Sequence, residues 1–491
     1  MRRFRSTRRA LTALTLGIAL ATQTAPHSLA QPQLPALGDR LSGIFSLEEE
    51  HRIGREFLRS VRRGAPIIDD PLLNDYVVNF THNLAVHSDL QDYRLAFVLI
   101  DSPVLNAFAA PGGIIGVNGG LFLNAHTEGE FASVMAHELA HVSQRHFARG
   151  VEDAQRRRLP ELATLLASVV LMGSGSSAGP AAVMAAQGRS IENQLRFSRQ
   201  NESEADRLGL RTMVNAGYDP NDMARLFERL LEQTRFSSRP PEFLLSHPVT
   251  ESRIVDARSR ANRMPAPQRS ASAGMEYHLM RARVEVHYEQ NKSDAVIDFT
   301  ERLESSREAH ERSVATYGLA LAYAANRQYD EALELLDELL AAESNRITYV
   351  TTRADTLISA GQPQQALDYL ERHLRINPNN HPLTMSQINA HIALRDYQSA
   401  VQILERHVQT RPEDHSLWYL LAETQGQAGD ISKVHQARAE FFILVGDFRS
   451  AREQLNYALR IEGSREENVP LMSRLRQRIS DVERMQREQQ A

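Results

Sequence analysis

The feature that most constrains the fold of this chain is a 34-residue period in its C-terminal half. Ala332, Ala366 and Ala400 recur at that spacing, and Val434 occupies the next equivalent position. A small residue that recurs at a fixed interval is typical of helical hairpins stacked in series, because each hairpin buries its apolar face only against its neighbours. The period therefore predicts an all-α solenoid.

Large side chains stand at fixed offsets from these small positions. Tyr329, Tyr397 and Phe448 each precede a small residue by three positions. The period and the alternation of small and large residues resemble the tetratricopeptide repeat. We place the repeats at residues 275–465 and predict a capping helix and tail at residues 466–491, because the end of a solenoid otherwise exposes apolar surface.

The N-terminal half contains a different pattern, the run His137-Glu138-Leu139-Ala140-His141 in an apolar, helix-like stretch. In a helix, histidines four residues apart project from one face and can bind one metal ion. Glu138 then lies where a general base for a water molecule is needed. We expect one helix from about Thr127 to Ala148. The alternative is a helix whose histidines are only packed or solvated.

A catalytic zinc usually has three protein ligands, so a further ligand must lie elsewhere in the chain. The metzincin pattern requires Gly and then His at fixed offsets after the second histidine, and this chain has Gln144 and Phe147 at those positions. His146 is out of register, and we expect it at the surface or in packing. A second helical stretch, Glu202-Ser203-Glu204-Ala205-Asp206, offers a carboxylate ligand. Taken alone, its carboxylates would be better explained as an ordinary solvated helix face.

Three motifs together resemble those of the zinc metallopeptidases of the HtpX and CAAX prenyl protease type, which are gluzincins: His137-Glu138-x-x-His141, Glu202-x-x-Ala205-Asp206 and Ser246-His247-Pro248. The resemblance implies one Zn2+ ion per chain with three protein ligands, His137, His141 and Glu202. It also implies that Asp206 holds a ligating imidazole in its working tautomer.

The same resemblance implies catalytic roles for Glu138 and His247. Glu138 would accept a proton from the attacking water and pass it to the leaving amine. Three positions stay open for His247: at the surface, as a donor to the oxyanion of the tetrahedral intermediate, or as a fourth metal ligand that keeps the enzyme latent. Arg253 also fits the family pattern after the His-Pro pair.

The segment before the metal-binding helix carries the remaining local signal. We expect residues 106–113 to form a turn that feeds a short apolar strand at residues 114–117. Such a strand could bind an extended polypeptide substrate by adding it to the sheet. The predicted fold class of residues 31–263 is an α+β gluzincin metallopeptidase domain, mostly helical with a small sheet, and residues 264–274 are a linker by composition.

The N-terminus has the three parts of a secretory signal peptide. Residues 1–9 are rich in arginine, residues 10–21 are apolar, and Ser28-Leu29-Ala30 ends in small residues that a signal peptidase reads. We therefore predict a signal peptide at residues 1–30. In a Gram-negative bacterium it would deliver the mature protein to the periplasm, by either the general or the twin-arginine route.

Composition excludes several classes of site and partner. The chain has no cysteine, so neither disulfides nor thiolate zinc sites can form. A formal net charge of -5 argues against binding to nucleic acid. Two apolar stretches, residues 162–172 and 181–186, are each too short to cross a bilayer. We expect them to form a flap over the cleft, with peripheral membrane contact as the less favoured interpretation.

The combination of an exported gluzincin with helical repeats resembles the bacterial beta-barrel assembly-enhancing proteases. That resemblance implies quality control of outer-membrane beta-barrel proteins, with repeats that dock the assembly machinery or unfolded clients and a peptidase that degrades clients that fail to assemble. A chaperone contribution is also implied. The alternative is a non-proteolytic repeat-containing chaperone or assembly factor with a latent or structural zinc site.

Overall fold

The computed structural model describes residues 46–156, 190–236, 242–265, 274–463 and 468–490. These ranges all fall within one unit, residues 42–491. The predicted signal peptide at residues 1–30 and the predicted flap between residues 162 and 186 lie outside the described residues.

The N-terminal part combines helices with a small sheet, which confirms the predicted α+β class. Its elements are α1 (Leu47–Gly64), α2 (Pro71–Ala85), β1 (Ala96–Ile100), β2 (Ala107–Ala110), β3 (Ile114–Asn118), α3 (Gly119–Asn124), α4 (Glu128–Ser143), α5 (His146–Arg156), α6 (Ser190–Asn215), α7 (Asn221–Phe236), α8 (Glu242–Ser246) and α9 (Glu251–Ala261).

The sheet has the strand order β1-β3-β2, with β3 parallel to β1 and antiparallel to β2. Our prediction of a turn over residues 106–113 was wrong for its first half, because residues 107–110 form the edge strand β2. The predicted strand at residues 114–117 is present as β3, but it is paired on both sides and cannot add a peptide strand as expected. The turn is confined to Pro111–Gly113, where Gly112 and Gly113 have φ of 70° and 77°. A β-carbon on Gly112 would lie 2.8 Å from the carbonyl oxygen of Glu50, so this turn requires glycine.

Helix α4 begins as its sequence predicts but ends earlier. Thr127 is the N-cap, and its side chain accepts a hydrogen bond from the backbone N–H of Glu130 at 3.1 Å. The helix ends at Ser143 instead of continuing to Ala148, because Arg145 adopts a left-handed φ of 51°. A new helix, α5, starts at His146, and the change of direction places the His146 side chain against α4.

The C-terminal part is entirely helical over its described residues, and the repeat prediction is confirmed. The recurring small residues Ala332, Ala366 and Ala400 are fully buried between successive helices. The helices are α10 (Met275–Tyr288), α11 (Lys292–Ser305), α12 (Ala309–Ala325), α13 (Tyr329–Ala342), α14 (Ile347–Ser359), α15 (Pro363–Ile376), α16 (His381–Ala393), α17 (Tyr397–Thr410), α18 (His415–Gln427), α19 (Ile431–Leu444), α20 (Phe448–Gly463) and α21 (Val469–Gln490).

The repeats pack directly against the N-terminal part at several places in the described ranges, two of which involve α2 or its N-cap residue Asp70. At the first, the Tyr277 hydroxyl donates to the carbonyl of Ala125 at 2.6 Å, and Arg283 donates to Asp70 at 2.5 Å. At the second, Arg411 forms an ion pair with Asp75. Within the described ranges, none of the helices is both long enough and apolar enough to span a bilayer.

Candidate metal centre

Four side chains from three parts of the chain converge on one point. The ligand-type atoms of His137, His141, Glu202 and His247 all lie within 4.8 Å of one another. The Nε2 atoms of His137 and His141 are 3.0 Å apart, and each lies 3.3 Å from a carboxylate oxygen of Glu202. The Nδ1 atom of His247 lies 3.2 Å from His137 Nε2 and 3.1 Å from Glu202.

These separations fit a tetrahedral metal ion. With metal–ligand bonds of about 2.0–2.1 Å, tetrahedral angles place neighbouring ligand atoms about 3.3 Å apart. Two neutral imidazoles that face each other through their lone pairs at 3.0 Å repel each other unless a cation lies between them. Two or three imidazole nitrogens with one carboxylate oxygen form a donor set typical of zinc.

Close packing of α4 on α6 brings these ligands together. His137 and His141 lie one turn apart on α4, and Glu202 lies on α6. Gly209 allows the two helices to approach, since a β-carbon there would lie 3.3 Å from the backbone nitrogen of His137. His137 and Glu202 are only 2% and 3% exposed, so the ligand atoms are held by packing before any ion binds.

Asp206 and Arg253 contact the ligand side chains and hold them in position. Asp206 Oδ1 lies 3.0 Å from His137 Nδ1, the ring nitrogen that points away from the cluster. Arg253 donates two hydrogen bonds of 2.7 Å to Asp206, and its Nη1 lies 3.0 Å from Glu202. The bidentate pair fixes the Asp206 carboxylate, which in turn orients the His137 ring.

The electrostatics of the cluster favour a positive charge. Burial opposes protonation of His137, but Glu202 and Asp206 outweigh it and raise the pKa of His137 to about 10. Burial likewise opposes ionisation of Glu202, yet His247 and His137 hold the pKa of this carboxyl well below its usual range. Burial instead lowers the pKa of His141 to about 4, which leaves this imidazole neutral and free to bind a metal. A buried site that combines an ionised carboxylate with a neutral imidazole is suited to a divalent cation.

Glu138 is the next residue after His137 and has an unusual environment. Its side chain is fully buried, and within the described part of the chain no group donates a hydrogen bond to either carboxylate oxygen. The nearest imidazole nitrogen, His247 Nε2, is 3.5 Å from Oε1. A buried acceptor without a donor is costly, and it is suited to a substrate or water proton.

His247 is held in the cluster by the short helix α8. Its backbone N–H donates to the carbonyl of Phe243 at 2.7 Å, and the two rings pack with centroids 4.9 Å apart. Phe243 is 1% exposed and anchors the turn in the core. Because His247 itself is only 7% exposed, the surface position considered from the sequence does not fit the structure.

The structure adds two residues that the sequence did not assign to the centre. His146 is buried, and its Nδ1 lies 2.9 Å from His141 Nδ1, so it is not a surface residue. Glu204 lies 3.2 Å from the other ring nitrogen of His146 and 2.9 Å from Arg149. Hydrogen bonding from His146 and then Arg149 lowers the pKa of Glu204 to about 2.

A cleft of about 320 Å³ gives access to the cluster. One wall is the edge strand β2 with the following turn, and the other is formed by Glu138 and His141 of α4 together with Asn201 of α6. Glu202 and His247 also line the cleft. An edge strand beside the buried carboxylate is the arrangement that an extended polypeptide needs in order to pair with main-chain groups.

Comparison with known proteins agrees with this geometry. Residues 71–261 match Peptidase family M48, and residues 317–381 and 357–424 match tetratricopeptide repeat families.

The chain is 36% identical over 361 residues to the beta-barrel assembly-enhancing protease of Escherichia coli (strain K12), covering 73% of each protein. Its Vibrio cholerae counterpart is 38% identical over 323 residues, 66% of each protein. A mitochondrial metalloendopeptidase of Schizosaccharomyces pombe is 29% identical over 226 residues, 45% of this chain and 64% of that one. The chain therefore belongs to the beta-barrel assembly-enhancing protease family and is a metallopeptidase of family M48 joined to tetratricopeptide repeats.

Proposed function

We propose that this protein is a periplasmic zinc endopeptidase that degrades outer-membrane beta-barrel proteins that have failed to assemble. The proposal rests on the convergence of His137, His141 and Glu202 beside the buried carboxylate of Glu138, which accepts no hydrogen bond from the described residues. A structural metal site has no use for an unsatisfied carboxylate at its edge, whereas hydrolysis needs one.

The roles of the side chains follow from their positions. When bound, zinc lowers the pKa of a coordinated water towards neutrality and polarises a peptide carbonyl. Glu138 accepts the proton from the attacking water at a carboxylate oxygen and delivers it to the nitrogen of the leaving amine. Asp206 and Arg253 keep the His137 ring in the orientation that presents Nε2 to the metal.

His247 takes the fourth ligand position and keeps the site latent until substrate arrives. Its Nδ1 is as close to Glu202 and His137 as those ligands are to each other. A metal with four protein ligands has no open position, so His247 must move for peptide hydrolysis to proceed. The short helix α8, five residues long, is the element that would carry it away.

The compartment is inferred from the N-terminal sequence, and the clients are inferred from the relatives. The signal peptide predicted at residues 1–30 supports export to the periplasm. The relatives' shared name, beta-barrel assembly-enhancing protease, supports outer-membrane beta-barrel proteins and their assembly machinery as partners. The edge strand β2 suits unfolded or extended segments of such clients, which can pair through main-chain hydrogen bonds.

The repeats would dock the client or the machinery. A groove of about 560 Å³ runs along the last helices, with Trp418, Leu421 and Leu475 among its apolar lining residues. Lys433 and Arg478 are among the charged groups that also line it. An apolar floor with a charged rim is the usual anatomy of a protein-binding surface.

A second function is favoured by the position of His247. A zinc ion with four protein ligands is the arrangement of a structural site, so the chain would then act as a chaperone or assembly factor without cleavage. The two functions differ in whether Glu138 is needed.

The deciding experiment compares Glu138→Gln with Glu338→Gln, an exposed glutamate on a repeat helix. We expect the purified full-length Glu138→Gln protein to retain zinc and to lose cleavage of casein, while Glu338→Gln keeps both. In a strain that lacks the protein, Glu138→Gln should also fail to restore outer-membrane protein assembly. Full restoration by Glu138→Gln would favour the non-proteolytic assembly factor.

A further inference from the structure

We infer that His146 and Glu204 are positioning residues of the metal centre, which together fix the protonation of the His141 ring so that it can bind the ion. The inference rests on the proposed metal role of His141. It concerns two residues outside the set of ligands: His146 lies outside the motifs, and Glu204 occupies an unspecified position of Glu202-x-x-Ala205-Asp206.

The backbone break after α4 creates the contact. Arg145 adopts a φ of 51°, and α5 then starts with His146. This reversal places the His146 ring edge-on against the His141 ring, with centroids 4.8 Å apart and an interplanar angle of 78°. His146 is 6% exposed, so water does not readily replace either ring as a partner.

The hydrogen-bond geometry permits one assignment of protons. His141 presents Nε2 to the metal cluster, so its proton must be on Nδ1. His146 Nδ1 lies 2.9 Å from His141 Nδ1, so His146 Nδ1 must accept the hydrogen bond from that proton. His146 then carries its own proton on Nε2 and donates it to Glu204 Oε2 at 3.2 Å.

Glu204 is itself held in place, which makes the chain of hydrogen bonds rigid. Arg149 donates to the same Oε2 at 2.9 Å, and Arg149 and His146 both lie on α5. Glu204 lies on α6, two residues after the predicted ligand Glu202. We call the hydrogen-bonded series His141, His146 and Glu204 the relay. It connects α5 to α6, the helix that supplies Glu202.

The arrangement parallels the support of the other α4 ligand. His137 is oriented directly by the carboxylate of Asp206, whereas His141 is oriented by the carboxylate of Glu204 through an intervening imidazole. Metal-ligating histidines commonly donate their second N–H to a carboxylate, a carbonyl or a water, and loss of such a partner typically weakens metal affinity by about 10–100-fold. The structure provides such a partner for both histidines.

The test compares His146→Leu with His146→Asn in the full-length protein. Leucine fills similar space but cannot accept a hydrogen bond, whereas the asparagine side-chain oxygen lies close to the position of Nδ1 and can accept one. We expect His146→Leu to weaken zinc binding by about 10–100-fold in competition with a chromogenic chelator, and His146→Asn to remain near the unmodified protein. His373→Leu, which removes an equally buried histidine from the repeats, should leave zinc affinity unchanged.

A spectroscopic readout separates orientation from general packing. In the cobalt-loaded protein, the exchangeable Nδ1–H proton of His141 should give a shifted resonance that exchanges much faster with D2O in His146→Leu than in His146→Asn. If His146→Leu fails to fold, Glu204→Gln replaces it as the test variant, because it preserves the size of the side chain. We expect Glu204→Gln to lose less zinc affinity than the range given for His146→Leu.

Two outcomes would overturn the relay. One is unchanged zinc affinity in both His146→Leu and Glu204→Gln; the other is equal weakening by His146→Leu and His146→Asn, which would assign the effect to packing. Failure of the unmodified protein to bind zinc would instead remove the metal assignment, and retained cleavage by Glu138→Gln would remove the proposed catalytic role without affecting the relay.

Discussion

Two buried groups of histidines in this molecule have opposite electrostatic surroundings. In the metal centre, His137 and His141 face the carboxylates of Glu202 and Asp206. In the repeats, His381 and His407 stack with an interplanar angle of 18° and with ring nitrogens 2.9 Å apart. The charge that acts on this second pair is the guanidinium of Arg411.

The surroundings decide what each group can do. Burial lowers the pKa of His381 to about 3 and that of His407 to about 4, and Arg411 acts in the same direction. For His137, two carboxylates reverse the effect of burial and raise the pKa, whereas for His141 burial outweighs Glu202 and lowers the pKa to about 4. Proximity of imidazoles alone therefore does not make a metal site; a buried anion must compensate the cation.

The largest expected effect comes from removal of that anion. Glu202→Gln deprives the metal centre of its ligand carboxylate and makes its charge resemble that of the repeat pair. Loss of a supporting hydrogen bond typically weakens metal affinity by up to about 100-fold. We expect Glu202→Gln to weaken zinc binding by more than that and to abolish peptidase activity. Zinc content after gel filtration measures the effect. A variant that retains one zinc per chain would contradict the ligand role of Glu202.

Removal of the supporting carboxylate should have a smaller effect. Asp206→Asn leaves all ligands in place but removes the charge next to His137 Nδ1 and leaves the guanidinium of Arg253 with only one carboxylate partner. We expect zinc affinity to fall by about 10–100-fold, with cleavage recoverable at high zinc concentration. Chelator competition and a zinc titration of casein cleavage provide the measurement. Wild-type affinity in Asp206→Asn would show that His137 is oriented by packing alone.

A third substitution tests whether the metal centre is closed. His247→Ala removes the candidate fourth ligand while the three other ligands stay in place. Because an open position is needed for hydrolysis, we expect casein cleavage to rise severalfold while zinc affinity falls slightly. Reduced cleavage with unchanged zinc content would instead favour the alternative considered from the sequence, in which His247 donates to the oxyanion.

The sequence predicted the features that depend on spacing along one helix or one repeat. The pair His137 and His141 and the recurring alanines of the repeats are visible because their periods match helical geometry. The ligand candidate Glu202 required a resemblance to a known family, because no spacing rule connects it to α4.

Features that depend on chain reversals were missed. His146 was assigned to the surface or to packing because an uninterrupted helix would carry it past His141, and nothing in the residue types reveals the left-handed Arg145. Strand β2 was interpreted as a turn because its four residues precede Pro111 and two glycines. The pair His381 and His407 comes from different helices, 26 residues apart, and has no motif.

The remaining prediction concerns the repeat pair and the dependence of its stability on pH. The pKa values of His381 and His407 are lower in the folded protein than the ordinary histidine value, so below about pH 6.5 the unfolded chain binds more protons than the folded one. Repeat stability should therefore fall as pH decreases from about 6.5 towards 4, by at most about tenfold in the folding equilibrium constant per pH unit for each histidine.

Trp418 is the single tryptophan and lies on α18, the helix after His407, so its fluorescence reports local unfolding in urea. His381→Phe should reduce the loss of stability between pH 7.5 and pH 5.0, while substitution of the half-exposed His310 by Phe should not. The same fall in stability in both variants would mean that other groups titrate, such as the half-buried His415, whose pKa is lowered by burial and by Arg62. If His381→Phe alone flattens the profile, protonation of this pair is what couples the stability of the repeats to acidity.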